Sequence, residues 1–109
     1  MNFEIRYTPV FERAIKRLAK KYPSIRNDLA TLVEELVADP YAGTNLGKDC
    51  YKVRMAITSK GRGRSGGARV ITCVRVVKTT VFLLIIYDKS ESESITDKEL
   101  ERLIEMIGQ

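Results

Sequence analysis

The chain has no histidine and only two cysteines, Cys50 and Cys73, among its 109 residues. The first absence removes the commonest general acid–base side chain and every His-containing zinc site. The two cysteines lack metal-ligand spacing and cannot make a disulfide scaffold. Long hydrophobic runs are missing as well. The longest, Val81 to Tyr87, has seven residues, against the ~20 that a membrane-spanning helix needs. Met1 is followed by Asn2, Phe3, Glu4 and Ile5, without the basic-then-apolar order of a secretory signal. With 44% hydrophobic and 30% charged residues, the expectation is one globular domain over 1–109, in a reducing cytoplasm and with no membrane association.

What the chain does have is uneven charge. The net charge of +5 divides into +4 over residues 1–24, −3 over 25–47, +8 over 48–78 and −4 over 79–109. A basic segment between two acidic ones attracts an anionic polymer, and nucleic acid is the first partner to consider. A solvated basic loop without a ligand is the plain alternative.

Hydropathy patterning places the elements. Phe3, Ile5 and Tyr7 alternate with Glu4 and Arg6 as in a half-buried strand. Thr8-Pro9 reads as a helix N-cap and first position, followed by Val10, Phe11, Ala14, Ile15, Leu18 and Ala19 at helical spacing. Pro23 stops that helix and Ser24 is placed to cap a second, striped by Ile25, Leu29, Leu32, Val33, Leu36 and Val37 up to Asp39-Pro40. Residues 41–47 read as a loop. Strands are predicted over Tyr51–Ile57, Ala68–Val77 and Val81–Tyr87, the last buried on both faces, with Lys78-Thr79-Thr80 as a hairpin connection. Thr96 and Glu99 form a capping box before a final helix whose apolar face is Leu100, Leu103, Ile104 and Ile107, with Ile95 placed to staple Leu100. The order β-α-α-β-β-β-α predicts an α+β fold: an N-terminal strand and helical hairpin, a three-stranded antiparallel meander and a C-terminal helix, with helices on one side of the sheet.

Residues 58–67, TSKGRGRSGG, are the most unusual stretch, and four glycines in ten residues predict a flexible loop. Gly61, Gly63 and Gly66 satisfy a G-x-G-x-x-G pattern. A dinucleotide site needs a helix to follow, whereas here a strand does. No G-K-[ST] is present, so a Walker-type loop is excluded too. There remain Lys60, Arg62 and Arg64 on glycine-rich backbone, with Arg69 at the base of the next strand. Such a loop suits phosphate, because amides approach closely and guanidinium forks bind oxygens bidentately. By strand parity, Lys52 and Arg54 share a face, as do Arg69 and Arg75, with Tyr87, Asp88 and Lys89 closing the third strand. These residues would line one sheet face suited to single-stranded RNA.

RNA cleavage without metal requires a proton acceptor for the 2′-hydroxyl, charge stabilisation at the phosphorane and a proton donor to the 5′-oxygen. With no histidine, Lys60, Tyr87 and Lys89 are the proton-transfer candidates, and neighbouring cations favour lysine deprotonation and tyrosinate. Arg54, Arg62, Arg64 and Arg69 supply positive charge. No clustered carboxylates suggest magnesium, so neither a metal nor a cofactor is expected.

Tyr51-Lys52-Val53-Arg54, the run Lys60-Gly61-Arg62-Gly63-Arg64-Ser65-Gly66-Gly67-Ala68-Arg69-Val70-Ile71, and Leu83-Leu84-Ile85-Ile86-Tyr87-Asp88-Lys89 with the closing helix resemble the RelE/HigB superfamily of type II toxin–antitoxin toxins. The resemblance spans essentially the whole chain and is strongest with the HigB-like branch. It implies a cytoplasmic endoribonuclease that cuts mRNA on the ribosome through a 2′,3′-cyclic phosphate, inhibits translation and is neutralised by a cognate antitoxin. The implied catalytic residues are Lys60, Arg62, Arg69, Tyr87 and Lys89, with Arg54 and Arg64 contacting RNA, and strand parity adds Lys52 and Arg75 to the RNA-binding set. A ParE-like gyrase inhibitor and a non-catalytic RNA-binding domain are the alternatives on the same fold.

Overall fold

Period-two alternation at the N-terminus produces strand β1 (Glu4–Tyr7), and Thr8 then turns the chain into helix α1 (Pro9–Lys21). Thr8 Oγ1 accepts the Phe11 N–H at 3.1 Å and lies 3.2 and 3.1 Å from the Leu83 and Leu84 carbonyls, so one side chain both caps the helix and fastens it to the sheet. Helix α2 (Ile25–Ala38) follows. Ser24 does not cap it. Its backbone is already helical, and its Oγ lies 2.8 Å from Asp28 Oδ2 and accepts the Ser59 N–H at 2.8 Å. The computed structural model describes residues 2–61, 63–92 and 94–108.

The sheet has five strands, because residues 41–47 are not all loop. Thr44–Gly47 forms an edge strand, β2, antiparallel to β3 (Cys50–Met55) across a two-residue turn. Lys48 and Asp49 in that turn have φ of 55° and 62°, as a type I′ hairpin demands. Strands β4 (Ala68–Arg75) and β5 (Thr80–Asp88) complete an antiparallel meander, and β1 joins β5 in parallel, giving the order β1-β5-β4-β3-β2. The β4 strand stops two residues short of the predicted Val77. Val76 and Val77 are 55% and 99% exposed at the hairpin tip, since no element lies there to cover them. Helix α3 (Asp97–Met106) carries the predicted capping box.

Helices cover both sheet faces rather than one. Phe11, Ile15, Leu18, Ile25, Leu32 and Leu36 of α1 and α2 pack with Val53, Met55, Val70, Val74, Val81, Leu83 and Ile86. On the opposite face, Leu100, Leu103, Ile104 and Ile107 pack with Cys50, Ile71, Cys73, Leu84 and Ile85. The cause is β4, seven of whose eight residues are buried. A strand apolar on both sides needs a layer on each. The α3 face therefore carries the rows Cys50–Cys73–Phe82, Lys52–Ile71–Ile85 and Arg54–Arg69–Tyr87, read across β3, β4 and β5.

Candidate functional site

Strand parity brings Arg54, Arg69 and Tyr87 onto adjacent strands in direct register. Such neighbours have Cβ atoms about 5 Å apart. Lys52 lies two residues back on the same face of β3, while Arg75 sits at the far end of β4, 3.9 Å from Asp49. The row, not the whole basic segment, is the centre of charge on this face.

Arg69 is 5% exposed. One of its terminal nitrogens donates to the carbonyls of Arg64 and Ala68 at 3.0 and 3.1 Å, and the other donates to that of Ser65 at 3.1 Å. Three of the five guanidinium N–H donors are thus spent on backbone dipoles. Among the described residues no carboxylate pairs with it. A nearly buried cation held only by carbonyls is short of an anion.

Beside it, the Tyr87 hydroxyl is buried and finds no hydrogen-bond partner among the described residues. Burial pushes the phenol up from its ordinary 10.0, Arg69 pulls the other way, and Glu99 adds to the rise. The expectation of a tyrosinate favoured by cations is therefore corrected. Desolvation outweighs the arginine, and Tyr87 keeps its proton. Such a group donates protons at neutral pH rather than accepting them.

The glycine–arginine segment is tethered rather than flexible where it is described, with short 3₁₀ turns at Thr58–Lys60 and Arg64–Gly66. At its start, Asp28 accepts the Thr58 N–H at 2.9 Å and the Thr58 hydroxyl at 2.5 Å. At its end, the Lys89 N–H donates to the Gly67 carbonyl at 3.0 Å. Gly67 passes so close to β3 that a Cβ there would sit 2.2 Å from the Met55 carbonyl oxygen.

This tethering divides the loop cations. Lys60 does not reach the row. Its ammonium donates to Asp88 Oδ1 at 2.7 Å and to the Gly66 carbonyl at 3.2 Å. The fully buried Asp88 also accepts from the Tyr22 hydroxyl and from the N–H and Oγ of Ser90. These hydrogen bonds overcome burial and hold its carboxyl well below the usual carboxylate range. Lys60 is bound by an anion on the α1–α2 side, since Asp88 has the opposite parity to Tyr87. Arg64 is likewise turned to α2, where it pairs with Glu35. Arg62 lies outside the described residues. Lys89, one residue past β5, is half-buried and forms no ion pair among the described residues.

Tyr87 also borders a cleft of about 620 Å³ whose other walls include Ile85, Ile95, Glu99, Arg102, Leu103 and Met106. The sequence pattern identified Glu99 only as a capping residue and left Arg102 outside the apolar stripe, with no signal that either faces Tyr87. Glu99 repels anions, so the favourable place for a phosphate is the arginine side of the ring. Among the described residues no group of three or more His, Cys, Asp or Glu side chains is placed to hold a metal ion, and no helix is long and apolar enough to cross a membrane.

A family model described as the RelE toxin of the RelE/RelB toxin–antitoxin system matches residues 9–109. Among solved structures, the chain is similar to a double mutant of E. coli toxin RelE in the free state, with 24% identity over 94% of this chain and 98% of that one and a TM-score of 0.65. It is similar to a chain of the intact E. coli RelBE toxin–antitoxin complex, with 21% identity over 79% and 95% and a TM-score of 0.60. A third, the RelE double mutant bound to a peptide of the antitoxin RelB, shares 24% identity over 89% and 98% with a TM-score of 0.58. No curated protein matches the chain. At these identities the structures speak for the fold, and the family model, which spans every element after β1, speaks for descent: the chain belongs to the RelE toxin family of toxin–antitoxin systems.

Proposed function

We propose that this toxin is a metal-independent endonuclease that cuts mRNA on the ribosome and so inhibits translation. The observation that carries the reading is the in-register row Arg54–Arg69–Tyr87: charge for a phosphate beside a phenol that keeps its proton. The 2′-hydroxyl attacks the adjacent phosphorus, the bond to the 5′-oxygen breaks, and the products are a 2′,3′-cyclic phosphate and a 5′-hydroxyl. Arg69 and Arg54 stabilise the added negative charge on the phosphorane. Tyr87 protonates the departing 5′-oxygen. Lys60 is committed to Asp88, which leaves Lys89 as the acceptor of the 2′-hydroxyl proton. Lys52 contacts a flanking phosphate, and Arg64 and Arg75 serve at the margins.

The row provides little surface of its own to hold a long message in place. Dependence on the ribosome follows if the ribosome presents the mRNA already bent for in-line attack. A cognate antitoxin is the expected partner, since Arg54 and the other exposed cations of residues 48–78 would bind RNA indiscriminately.

The test is to add the purified chain to a translating extract and map transcript 5′ ends. Cuts inside codons, absent from the same mRNA without ribosomes, are expected. Uncut messages during active translation would reject the reading.

A further inference from the structure

Cys50 and Cys73 are free thiols, both fully buried, and the cleavage chemistry uses neither. They face each other across β3 and β4. The Val74 N–H donates to the Asp49 carbonyl at 2.9 Å, which makes Cys50–Cys73 a non-hydrogen-bonded antiparallel pair, the kind whose Cα atoms stand about 4.5 Å apart. That separation lies within the range disulfides span, about 4.4–6.8 Å. We propose that Cys50 and Cys73 are a reversible modification site, forming an intrachain disulfide by exchange with a small-molecule disulfide of the glutathione type.

The surroundings favour exchange over inert burial. The proximity of the two thiols pulls Cys73 down and pushes Cys50 up, burial and the Asp49 carboxylate push both up, and the Arg75 guanidinium favours thiolate at both. The pair is thus set up as an attacking thiolate and a resolving thiol. The Cys73 thiolate attacks one sulfur of the small disulfide and expels the other half as a thiolate. The Cys50 thiol then gives up its proton and attacks the Cys73 sulfur, expelling the second half. Two protein thiols are oxidised and one small disulfide is reduced to two thiols.

Access runs through the β2–β3 turn. The Cys50 and Cys73 sulfurs lie 3.5 and 4.0 Å from the Lys48 carbonyl and share a buried cluster with Leu100 of α3, so uncovering them takes separation of Lys48 and Asp49 from α3, to which Glu101 ties the turn. That turn is weakly held. Its two non-glycine residues are left-handed, β2 pairs through three residues, the Lys48–Glu101 ion pair is largely exposed, and Asp49 lies 3.9 Å from Arg75.

The experiment equilibrates reduced protein with graded mixtures of reduced and oxidised glutathione, followed by acid quenching, alkylation and intact mass without reductant. The expected result is one species that takes up no alkyl group and is two hydrogens lighter than the unalkylated reduced chain, reversed by dithiol and absent in Cys50→Ser and in Cys73→Ser. Glu101→Ala is expected to speed bridging several-fold without changing its end point, because it releases the turn. Wild-type protein that stays fully reduced across the series, or accumulates a glutathione adduct without closing the bridge, overturns the proposal. An unchanged rate in Glu101→Ala overturns the access route. None of these readouts depends on RNA cleavage.

Discussion

A phenol buried with an unpartnered hydroxyl costs stability, of order 1–3 kcal/mol for a desolvated polar group, and Tyr87 is such a residue. Phenylalanine keeps the ring and removes the cost. Tyr87→Phe is therefore expected to melt no lower than wild type, with a gain of up to about 1 kcal/mol, while cleavage in a translating extract falls about 100-fold or more. A poorly folded variant, or one that still cuts, would contradict the assignment. Because the folded state holds the Tyr87 proton more tightly than the unfolded state, raising pH through and above the ordinary phenol value of 10.0 favours unfolding. The alkaline limb of the stability profile is expected to move to higher pH in Tyr87→Phe. Arg69 is different, because its side chain also holds the loop carbonyls. Arg69→Ala is expected to lose cleavage and to make residues 63–67 more sensitive to proteolysis, measured side by side.

The loop and the end of β5 act as one element through Asp88, and the carboxylate is the part whose removal is most informative. Asp88→Asn leaves Lys60 without its anion in a mostly buried site, a cost of about 3 kcal/mol. The folded-state carboxyl lies below its ordinary 3.8, so its contribution is present above that pH and lost as pH falls below it. Acid denaturation of Asp88→Asn is expected to show a shallower dependence in that window. Gly67→Ala is expected to destabilise as well, since a Cβ 2.2 Å from the Met55 oxygen forces β3 and β4 apart.

At this scale the sequence was informative where a pattern had a single physical solution. Thr8 with Pro9, and Thr96 with Glu99, announced both helix starts that have capped ends. Which residues of β3 and β4 share a face followed from parity, whereas the register across β4 and β5, with its shift at Ile71/Thr72, did not. It was silent where tertiary contact decided. Thr44–Gly47 becomes a strand because β3 offers an unpaired edge. The glycine-rich segment is fixed because Asp28, Asp88 and Lys89, distant in sequence, converge on it. Nothing local reveals that Asp88 and Glu35 pair with Lys60 and Arg64.

Taken whole, the molecule concentrates +8 of charge in residues 48–78, and its association with RNA is expected to weaken steeply with salt. Filter binding of single-stranded RNA across a salt series checks this, with Arg54→Ala showing a flatter slope. A salt-independent affinity would mean that the exposed cations do not make the contact. The sheet has a further property, which concerns how the protein is made. Glu4–Tyr7 pairs with Thr80–Leu83, so the first strand to be synthesised waits for the last. A polypeptide interrupted anywhere before Thr80 has no seat for its leading segment, no Tyr87 and no Asp88 to gather the loop. Such a fragment lacks the row Arg54–Arg69–Tyr87, which assembles only once Thr80–Asp88 is present to pair with β4 and β1.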